Sequence, residues 1–218
     1  MFRTIWIASL LLLGVSSYAQ QQVAITIDDL PCSNCVDDPT ILTTNKKILD
    51  ILLRYGIESV GFVNEGKCYR NEKPDASLTR VLEDWLKSGQ ELGNHTYSHI
   101  NIGNVSVEEY EADLLKGEVL MRPMISKYNQ RLKYFRHTQL RTGPTKEYKE
   151  QLEAVLTKHG YTTAPVTIDN DEYIYAYCYT QAKRKGDTTL MRMVAYDYLD
   201  YMRSIIKHME KVSNDFLG

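Results

Sequence analysis

The sequence has no block of like charge and no basic stretch. Its 26 Lys and Arg residues against 28 Asp and Glu residues give a net charge of −2 over 218 residues. Proteins that bind nucleic acid present a basic face to the phosphates, so this composition argues against a nucleic-acid partner. Internal repeats and low-complexity linkers are also missing. With 43% hydrophobic and 25% charged residues, the chain has a globular composition, and its length predicts one domain, or two at most.

Long apolar runs are missing except near the N-terminus. There, Arg3 precedes an apolar segment at 5–15, and small residues follow as far as Ala19. This pattern is typical of a signal peptide, and the segment is shorter than the roughly 20 apolar residues of a membrane-spanning helix. The alternative is an uncleaved membrane anchor. We expect residues 1–19 to be removed, leaving a domain at 20–218 that is exported to the periplasm or the extracellular space without a stable membrane anchor.

Cysteine is scarce, with four residues in the chain: Cys32, Cys35, Cys68 and Cys178. Cys32 and Cys35 form a C-x-x-C motif, but no second motif of this kind completes a four-cysteine zinc site. A thioredoxin-like redox role would leave the polar clusters described below unexplained. We therefore expect a structural disulfide, either within this pair or to Cys68. The connectivity stays open.

Segments typical of strands and helices alternate along the chain, which predicts one α/β domain with helices packed around a parallel sheet. Helix starts are marked by Asp38 before Pro39 and by a capping box of Ser106 and Glu109. The predicted strands are 23–27, 57–63, 91–93, 132–135 and 161–168. The predicted helices are 39–55, 77–88, 106–127, 145–160, 172–185 and 189–212.

Four polar clusters each follow a predicted strand. They are Asp28-Asp29, GNHTYSH at 93–99, FRHTQLRTG at 135–143 and TIDNDEY at 167–173. The carboxyl ends of parallel strands meet at one edge of a sheet, and catalytic groups gather there in α/β barrels and open sheets. The sequence therefore predicts one site built from these four clusters.

A metal site is indicated by His95 and His99, which are spaced i, i+4. On a helical turn this spacing puts both imidazoles on one side, within reach of a single ion. Asp29 supplies a third ligand, and a set of two histidines and one carboxylate leaves coordination positions open for water and substrate. The H-E-x-x-H pattern of zincins is excluded because Thr96 stands where the glutamate belongs.

The segments TIDD, HTYSH, FRHTQLRTG and TIDNDEY resemble the first four motifs of the polysaccharide deacetylases of carbohydrate esterase family 4, the NodB-homology domain. The resemblance runs from about Val23 to the end of the chain. It implies a distorted (β/α) barrel with fewer than eight full units. It also implies a metal-dependent hydrolase of non-peptide carbon–nitrogen bonds or acetyl esters, acting on a polysaccharide or cell-wall glycan. It leaves open which polysaccharide that is and which residues bind it.

The resemblance also implies roles for individual residues. Asp28 would be the general base, Arg136 would orient its carboxylate, and Asp169 would support a catalytic histidine. The implied ligands of a divalent metal, usually zinc, are Asp29, His95 and His99. The remaining histidines have structural explanations: His137 as a neighbour packed at the barrel mouth, with a direct role as the alternative, His159 at a helix end and His208 on a helix surface.

Three departures from the family pattern matter. Leu30 and Pro31 follow the two aspartates where glycine is usual, and Thr138 and Gln139 stand near positions where prolines are usual. No hydrophobic strand ending in a histidine follows Asp169, so the general acid of the family is missing. We therefore expect the last strand and helix of the barrel to be absent. The alternative function is then a catalytically impaired member or fragment that binds carbohydrate without efficient turnover.

Overall fold

Five parallel strands form the central sheet of the structure, a computed structural model that describes residues 22–33 and 38–217. The sheet order is β1-β2-β5-β6-β7, which follows the order of the strands in the chain. A sheet wound in one direction is the arrangement of a (β/α) barrel, whereas a doubly wound sheet reverses direction. Over the described residues, β1 and β7 are the two edges and the sheet is not closed. The sheet strands are β1 (Ile25–Leu30), β2 (Ser59–Val63), β5 (Glu91–Asn94), β6 (Tyr134–Phe135) and β7 (Thr162–Thr163).

Helices alternate with these strands, so the predicted α/β class with a parallel sheet is confirmed. A small antiparallel hairpin of β3 (Tyr69–Arg70) and β4 (Lys73–Pro74) follows β2. The helices are α1 (Asp38–Tyr55), α2 (Ala76–Lys87), α3 (Val107–Lys116), α4 (Met121–Ser126), α5 (Lys146–Lys158), α6 (Glu172–Arg184) and α7 (Thr188–Leu217).

Several helices begin where the sequence places an N-cap. Asp75 accepts hydrogen bonds from the backbone N–H groups at the start of α2, and the Thr145 side chain does the same for α5. The predicted capping box of α3 is present, with Ser106 and Glu109 each satisfying the other's backbone N–H. Each such cap stabilises a helix by ~1 kcal/mol.

The core lies between the sheet and helices α1 to α5. Its largest fully buried side chains are Trp85, Tyr110, Phe62, Phe135 and Leu82. Each large apolar side chain contributes roughly 1.5–3 kcal/mol when it leaves water. This packing fixes the strand ends on which the polar clusters lie.

Two predicted elements are wrong. The helix predicted at 106–127 is interrupted: α3 ends at Lys116, Gly117 is its C-cap, and α4 begins only at Met121. The strand predicted at 161–168 shrinks to Thr162–Thr163, because its partner β6 offers only two residues to pair with. The cluster at 167–173 therefore does not follow a strand directly.

Helices α6 and α7 form a hairpin that packs mainly on itself. Tyr175 of α6 lies 5.1 Å from the ring of Tyr198 and 5.7 Å from that of Tyr201, both on α7. Many of the hairpin's large side chains are exposed, including Tyr173, Tyr177, Tyr196, Met193 and Phe216. None of the described helices is long and apolar enough to span a lipid bilayer.

The structure tests part of the disulfide prediction. Cys32 is disulfide-bonded, whereas Cys68 is a buried free thiol and Cys178 an exposed one. The predicted alternative of a bond between Cys32 and Cys68 is therefore wrong. Cys35 and the leader predicted at 1–19 lie outside the described residues.

Candidate active site

The two aspartates lie at the end of β1, where the pairing with β2 becomes irregular. The register shifts between Ile27 and Leu30, and Asp29 has a left-handed backbone with a φ of 67°. Aspartate tolerates this conformation better than most residues. As a result the carboxylates of Asp28 and Asp29 contact different groups, Arg136 for the first and Lys67 for the second.

A buried amide anchors the chain just after this pair. Asn45 of α1 donates from Nδ2 to the carbonyl oxygen of Pro31 at 2.7 Å. Its Oδ1 accepts from the indole N–H of Trp85 at 3.0 Å. Asn45 and Trp85 are both buried, and buried polar groups are costly to leave unpaired, so this network holds the end of β1 firmly.

The two histidines lie in a loop after β5 and not on the helical turn that their spacing predicts. Thr96 and His99 both have left-handed backbones, with φ values of 65° and 56°. Two hydrogen bonds tie this loop to Asp113 of α3. The Tyr97 N–H donates to the backbone carbonyl of Asp113, and the Ser98 N–H donates to the Asp113 side chain. The predicted helical turn is therefore wrong, although the two imidazoles do meet, with ring centroids 5.0 Å apart.

Gly117 lets the end of α3 come close to the histidine loop. A Cβ atom at this position would lie 2.8 Å from the carbonyl carbon of Thr96 and 2.8 Å from the nitrogen of Tyr97. Real Cβ atoms do not approach so closely, so any larger residue would push the loop away. Asn64, at the end of β2, supports the loop from another side by donating to the His95 carbonyl at 2.6 Å.

The three predicted metal ligands come together. One ligand atom from each of Asp29, His95 and His99 lies within 4.8 Å of the others. His95 Nδ1 is 2.8 Å from the carbonyl oxygen of Arg136. A carbonyl only accepts, so Nδ1 carries the proton and Nε2 has its lone pair available. Two imidazole nitrogens and one carboxylate in such proximity fit a divalent cation such as zinc.

Both histidines are also held in the neutral form that binds metals. Burial lowers the pKa of His95 to about 4, although the hydrogen bond to Arg136 and the charge of Asp29 work in the opposite direction. Burial also lowers the pKa of His99, again against Asp29. Neutral imidazole is the ligand form, so neither side chain has to lose a proton at pH 7.

Lys67 is a member of the site that the sequence did not reveal. It lies in the 3₁₀ turn after β2, and its Nζ donates to Asp29 Oδ1 at 3.0 Å. His99 Nε2 is 3.7 Å from the same oxygen. The ammonium group thus neutralises the carboxylate where a metal ion would do so. Lys67 also lines a surface cavity of about 260 Å³ together with Gly66, Tyr97 and Ser98.

Arg136 and Asp28 form the second half of the site. Arg136 is buried, and its Nη1 lies 3.6 Å from Asp28 Oδ2, while its Nη2 donates to Thr26 at 3.0 Å. Burial raises the pKa of Asp28 to about 6, and the charges of Asp29 and Asp169 add to this, whereas Arg136 opposes it. The other Asp28 oxygen, Oδ1, is buried and has no hydrogen-bond partner in the described part of the protein.

Asp169 lies on the segment that leads into α6, and its charge contributes to the raised pKa of Asp28. The neighbouring residues are tied to α7: Asn170 donates to Tyr198 at 3.2 Å, and Tyr201 donates to Asp171 at 3.1 Å. The helical hairpin therefore carries the fourth cluster towards the first. The support of a histidine by Asp169 remains a prediction.

His137 packs against a core side chain. Its ring lies edge-on to Phe135 at 5.0 Å, and the charges that act on it come mainly from Glu153 and Lys149 of α5. Burial lowers its pKa to about 4. These surroundings are those of a neutral packing residue, which was the structural explanation offered for it.

Gln139 lies in the predicted cluster at 135–143, although the sequence assigns it no role of its own. Its Nε2 lies 3.0 Å from His99 Nδ1 and 3.3 Å from the His99 carbonyl oxygen. The sequence showed only that this stretch departs from the family pattern. No signal in the chain distinguishes a glutamine that reaches a histidine forty positions away.

Comparisons with known proteins agree with the sequence motifs. A sequence model described as polysaccharide deacetylase matches residues 16–164. Over 96 residues the chain is 34% identical to a peptidoglycan-N-acetylglucosamine deacetylase of Bacillus cereus. The matched region covers 44% of this chain and 38% of that protein, so the chain spans well under half the length of this relative.

Solved structures share the fold at low identity. A carbohydrate esterase family 4 pseudoenzyme from Bacillus anthracis superposes with a TM-score of 0.52 at 17% identity, covering 85% of this chain and 62% of its own. The chitin deacetylase of the fungal pathogen Colletotrichum lindemuthianum gives a TM-score of 0.52 at 21% identity, covering 70% of this chain and 58% of its own. The predicted deacetylase-type α/β fold is therefore confirmed.

Proposed function

The chain belongs to the polysaccharide deacetylase family, and from this membership we propose that it is a metal-dependent hydrolase that removes acetyl groups from a glycan. The observation that carries the proposal is the meeting of two sets of groups. Asp29, His95 and His99 bring their ligand atoms within 4.8 Å of one another. Directly beside them, Asp28 faces the Arg136 guanidinium at 3.6 Å.

Asp29, His95 and His99 would hold the cation in this proposal. When bound, a divalent cation lowers the pKa of water and polarises a carbonyl group. Asp28 is the general base that accepts the proton of the attacking water. Its buried Oδ1 atom has no partner in the described part of the protein, so a water that enters the site would be its first hydrogen-bond partner.

Arg136 keeps the base in place and in the right charge state. Its buried guanidinium lowers the pKa of Asp28 against the effect of burial, so that the carboxylate is ionised at neutral pH. The Thr26 hydroxyl and the Phe62 ring, which lies 4.6 Å below the guanidinium carbon, hold the arginine.

The substrate class proposed is an exported glycan with acetylated amino sugars, and an O-acetylated polysaccharide is the second form. The similarity to a peptidoglycan-N-acetylglucosamine deacetylase supports the first, as does the predicted signal peptide at 1–19. The zinc ion is the proposed cofactor because two nitrogen ligands and one carboxylate suit it.

A second candidate function is carbohydrate binding without efficient turnover. All five histidines of the chain are described, and three of them are not among the candidate metal ligands. His137 packs edge-on against Phe135, His159 bonds to Glu111 at 2.5 Å, and His208 lies on α7. The contacts of these three histidines do not assign any of them as the acid that protonates a leaving amine, and a deacetylase without a general acid would be slower by roughly 10²–10⁴-fold.

Acetate release separates the two functions. Zinc-loaded protein is incubated with an oligomer of N-acetylglucosamine, and Asp28→Asn serves as the control. A deacetylase gives acetate release that Asp28→Asn reduces by at least 10²-fold. Binding of the oligomer with no more acetate than the variant releases supports the second function. Acetate release that is equal in both proteins contradicts the role of Asp28.

A further inference from the structure

The two candidate metal ligands on the histidine loop are oriented in different ways. His95 Nδ1 faces the carbonyl oxygen of Arg136, a group that only accepts hydrogen bonds. His99 Nδ1 faces the side-chain amide of Gln139 at 3.0 Å, a group with one accepting and one donating end. The tautomer of His95 is therefore fixed by the backbone, whereas that of His99 depends on a side chain.

If His99 binds a cation through Nε2, its Nδ1 atom needs a hydrogen-bond acceptor as its partner. Its Nε2 atom faces Asp29 Oδ1 and is the nitrogen that shares the candidate site. An imidazole nitrogen binds a cation only without its proton, so the proton of a neutral His99 must then reside on Nδ1. The partner at Nδ1 must accept that hydrogen bond. In the structure it is the Nε2 end of Gln139 that faces His99.

A glutamine can pair with His99 in the metal-free and in the metal-bound form, because its carboxamide oxygen and nitrogen exchange places by rotation about the last side-chain bond. With the NH₂ end towards Nδ1, His99 keeps its proton on Nε2 and faces Asp29. With the oxygen towards Nδ1, the proton moves to Nδ1 and the Nε2 lone pair becomes available, while the hydrogen bond from Gln139 to the His99 carbonyl oxygen is given up. Neither an apolar side chain nor a purely donating one offers the second arrangement.

The backbone around Gln139 is shaped for this contact. Gln139 has a φ of 50° and a ψ of 22°, and Leu140 follows with a φ of 56°, so two successive residues are left-handed. Thr138 donates from its hydroxyl to the Ile100 carbonyl at 2.7 Å, which ties this turn to the residue after His99. The turn returns the Gln139 side chain over His99.

We propose that Gln139 is the positioning residue of His99, holding its imidazole in the tautomer that binds the cation by accepting a hydrogen bond from Nδ1. The assignment rests on the proposed function, since it needs a cation at Asp29, His95 and His99. It gives a purpose to a segment where this chain departs from its family's pattern. Groups of this kind typically change metal affinity by about 10–100-fold.

The test is calorimetric titration of the chelator-treated full chain with Zn²⁺ alone. Gln139→Met removes the acceptor and the donor, whereas Gln139→Glu keeps an acceptor, loses the donor and adds a negative charge, so the affinities are read together with the position of the His99 proton. Gln130→Met is the matched control, because Gln130 also donates from Nε2 to a backbone carbonyl, that of Gln90, but away from His99. Nitrogen NMR of the zinc-loaded protein adds a second readout, namely which nitrogen of His99 carries the proton.

We expect Gln139→Met to weaken zinc binding by about tenfold and Gln139→Glu to bind at least tenfold more tightly than Gln139→Met. Gln130→Met should match the unmodified protein, and His99 should carry its proton on Nδ1. Equal weakening by Met and Glu at position 139 would mean that only the donated bond to the His99 carbonyl matters, and would overturn the proposal. An unchanged zinc affinity in Gln139→Met would also overturn the role of Gln139, while leaving the proposed function intact. If the unmodified protein binds no zinc, the role of Gln139 and the proposed metal-dependent function both fail.

Discussion

Lys67 Nζ donates a 3.0 Å hydrogen bond to Asp29 Oδ1, the same oxygen that faces His99 Nε2 at 3.7 Å. A lysine ammonium thus stands against the carboxylate proposed to bind the metal. Both groups are only partly exposed, with 32% of the Lys67 side chain and 24% of the Asp29 side chain accessible. Solvent therefore screens this pair less than a fully exposed one.

Removing this charge should strengthen metal binding. A bound dication and the Lys67 ammonium repel each other and compete for one carboxylate oxygen, so Lys67→Met is expected to tighten Zn²⁺ binding by about tenfold, or ~1.4 kcal/mol. Calorimetric titration measures the change. Lys116→Met is the control. Lys116 lies over the Tyr97 ring, so this substitution removes an equal charge near the same loop. Weaker binding in Lys67→Met would mean that the lysine supports the cation.

The pH dependence of stability should reveal Asp28 in the metal-free protein. Its pKa is raised from 3.8 to about 6, chiefly by burial, so the folded state holds a proton that the unfolded state has released. Stability contributed by this group is therefore greatest at low pH and falls as the pH rises from about 4 to about 6. Asp28→Asn should remove this fall.

Thermal melting in the presence of a chelator checks this. The melting temperature of Asp28→Asn relative to the unmodified protein should be higher at pH 7.5 than at pH 4. Asp200→Asn, at an exposed position of α7, should show no such trend. If the difference in melting temperature between Asp28→Asn and the unmodified protein stays constant from pH 4 to pH 7.5, burial does not raise the pKa of Asp28.

How far the sequence predicts the site depends on the residue. Asp28, Asp29, His95 and His99 stand in motifs at strand ends, so their meeting follows from the parallel sheet, although the histidines meet through a loop and not a helical turn. Lys67 carries no local signal, and Gln139 is not distinguished from its neighbours in the cluster at 135–143, since each reaches the site from a turn whose position is set by tertiary packing. Their backbone geometry cannot be deduced from residue type.

The fold shows a similar division. The capping box of Ser106 and Glu109 predicts the start of α3 correctly because the signal is local. The break at Gly117 was missed, because it serves a contact with Thr96 and Tyr97 that is distant in the chain. The strand predicted at 161–168 is too long, since the sequence of one strand cannot indicate how many residues its neighbour offers for pairing.

Gly117→Ala should disturb the histidine loop directly. The new Cβ would lie 2.8 Å from the backbone of Thr96 and Tyr97, so we expect a loss of ~1–3 kcal/mol in the free energy of unfolding and weaker zinc binding. Chemical denaturation and calorimetry measure the two effects. Gly103→Ala is the control, because a Cβ there meets only Asn101 at 3.4 Å. Equal effects of the two variants would contradict the role of Gly117.

The two free thiols should differ in reactivity. Cys68 is buried, and burial raises its pKa to about 12, so little of the reactive thiolate exists at pH 8. Cys178 is exposed on α6. Alkylation of the native protein followed by peptide mass spectrometry should label Cys178 within minutes and Cys68 only after denaturation. Rapid native labelling of Cys68 would contradict the packing around β2 and α2.

The central claim is that a cation held by Asp29, His95 and His99 supports the removal of acetyl groups. Its most direct test measures acetate release from an N-acetylglucosamine oligomer while Zn²⁺ is added back to chelator-treated protein. The account predicts that activity returns and saturates at one zinc per chain, and that His95→Ala shows no return. Acetate release that persists in the chelator and ignores added zinc would contradict it.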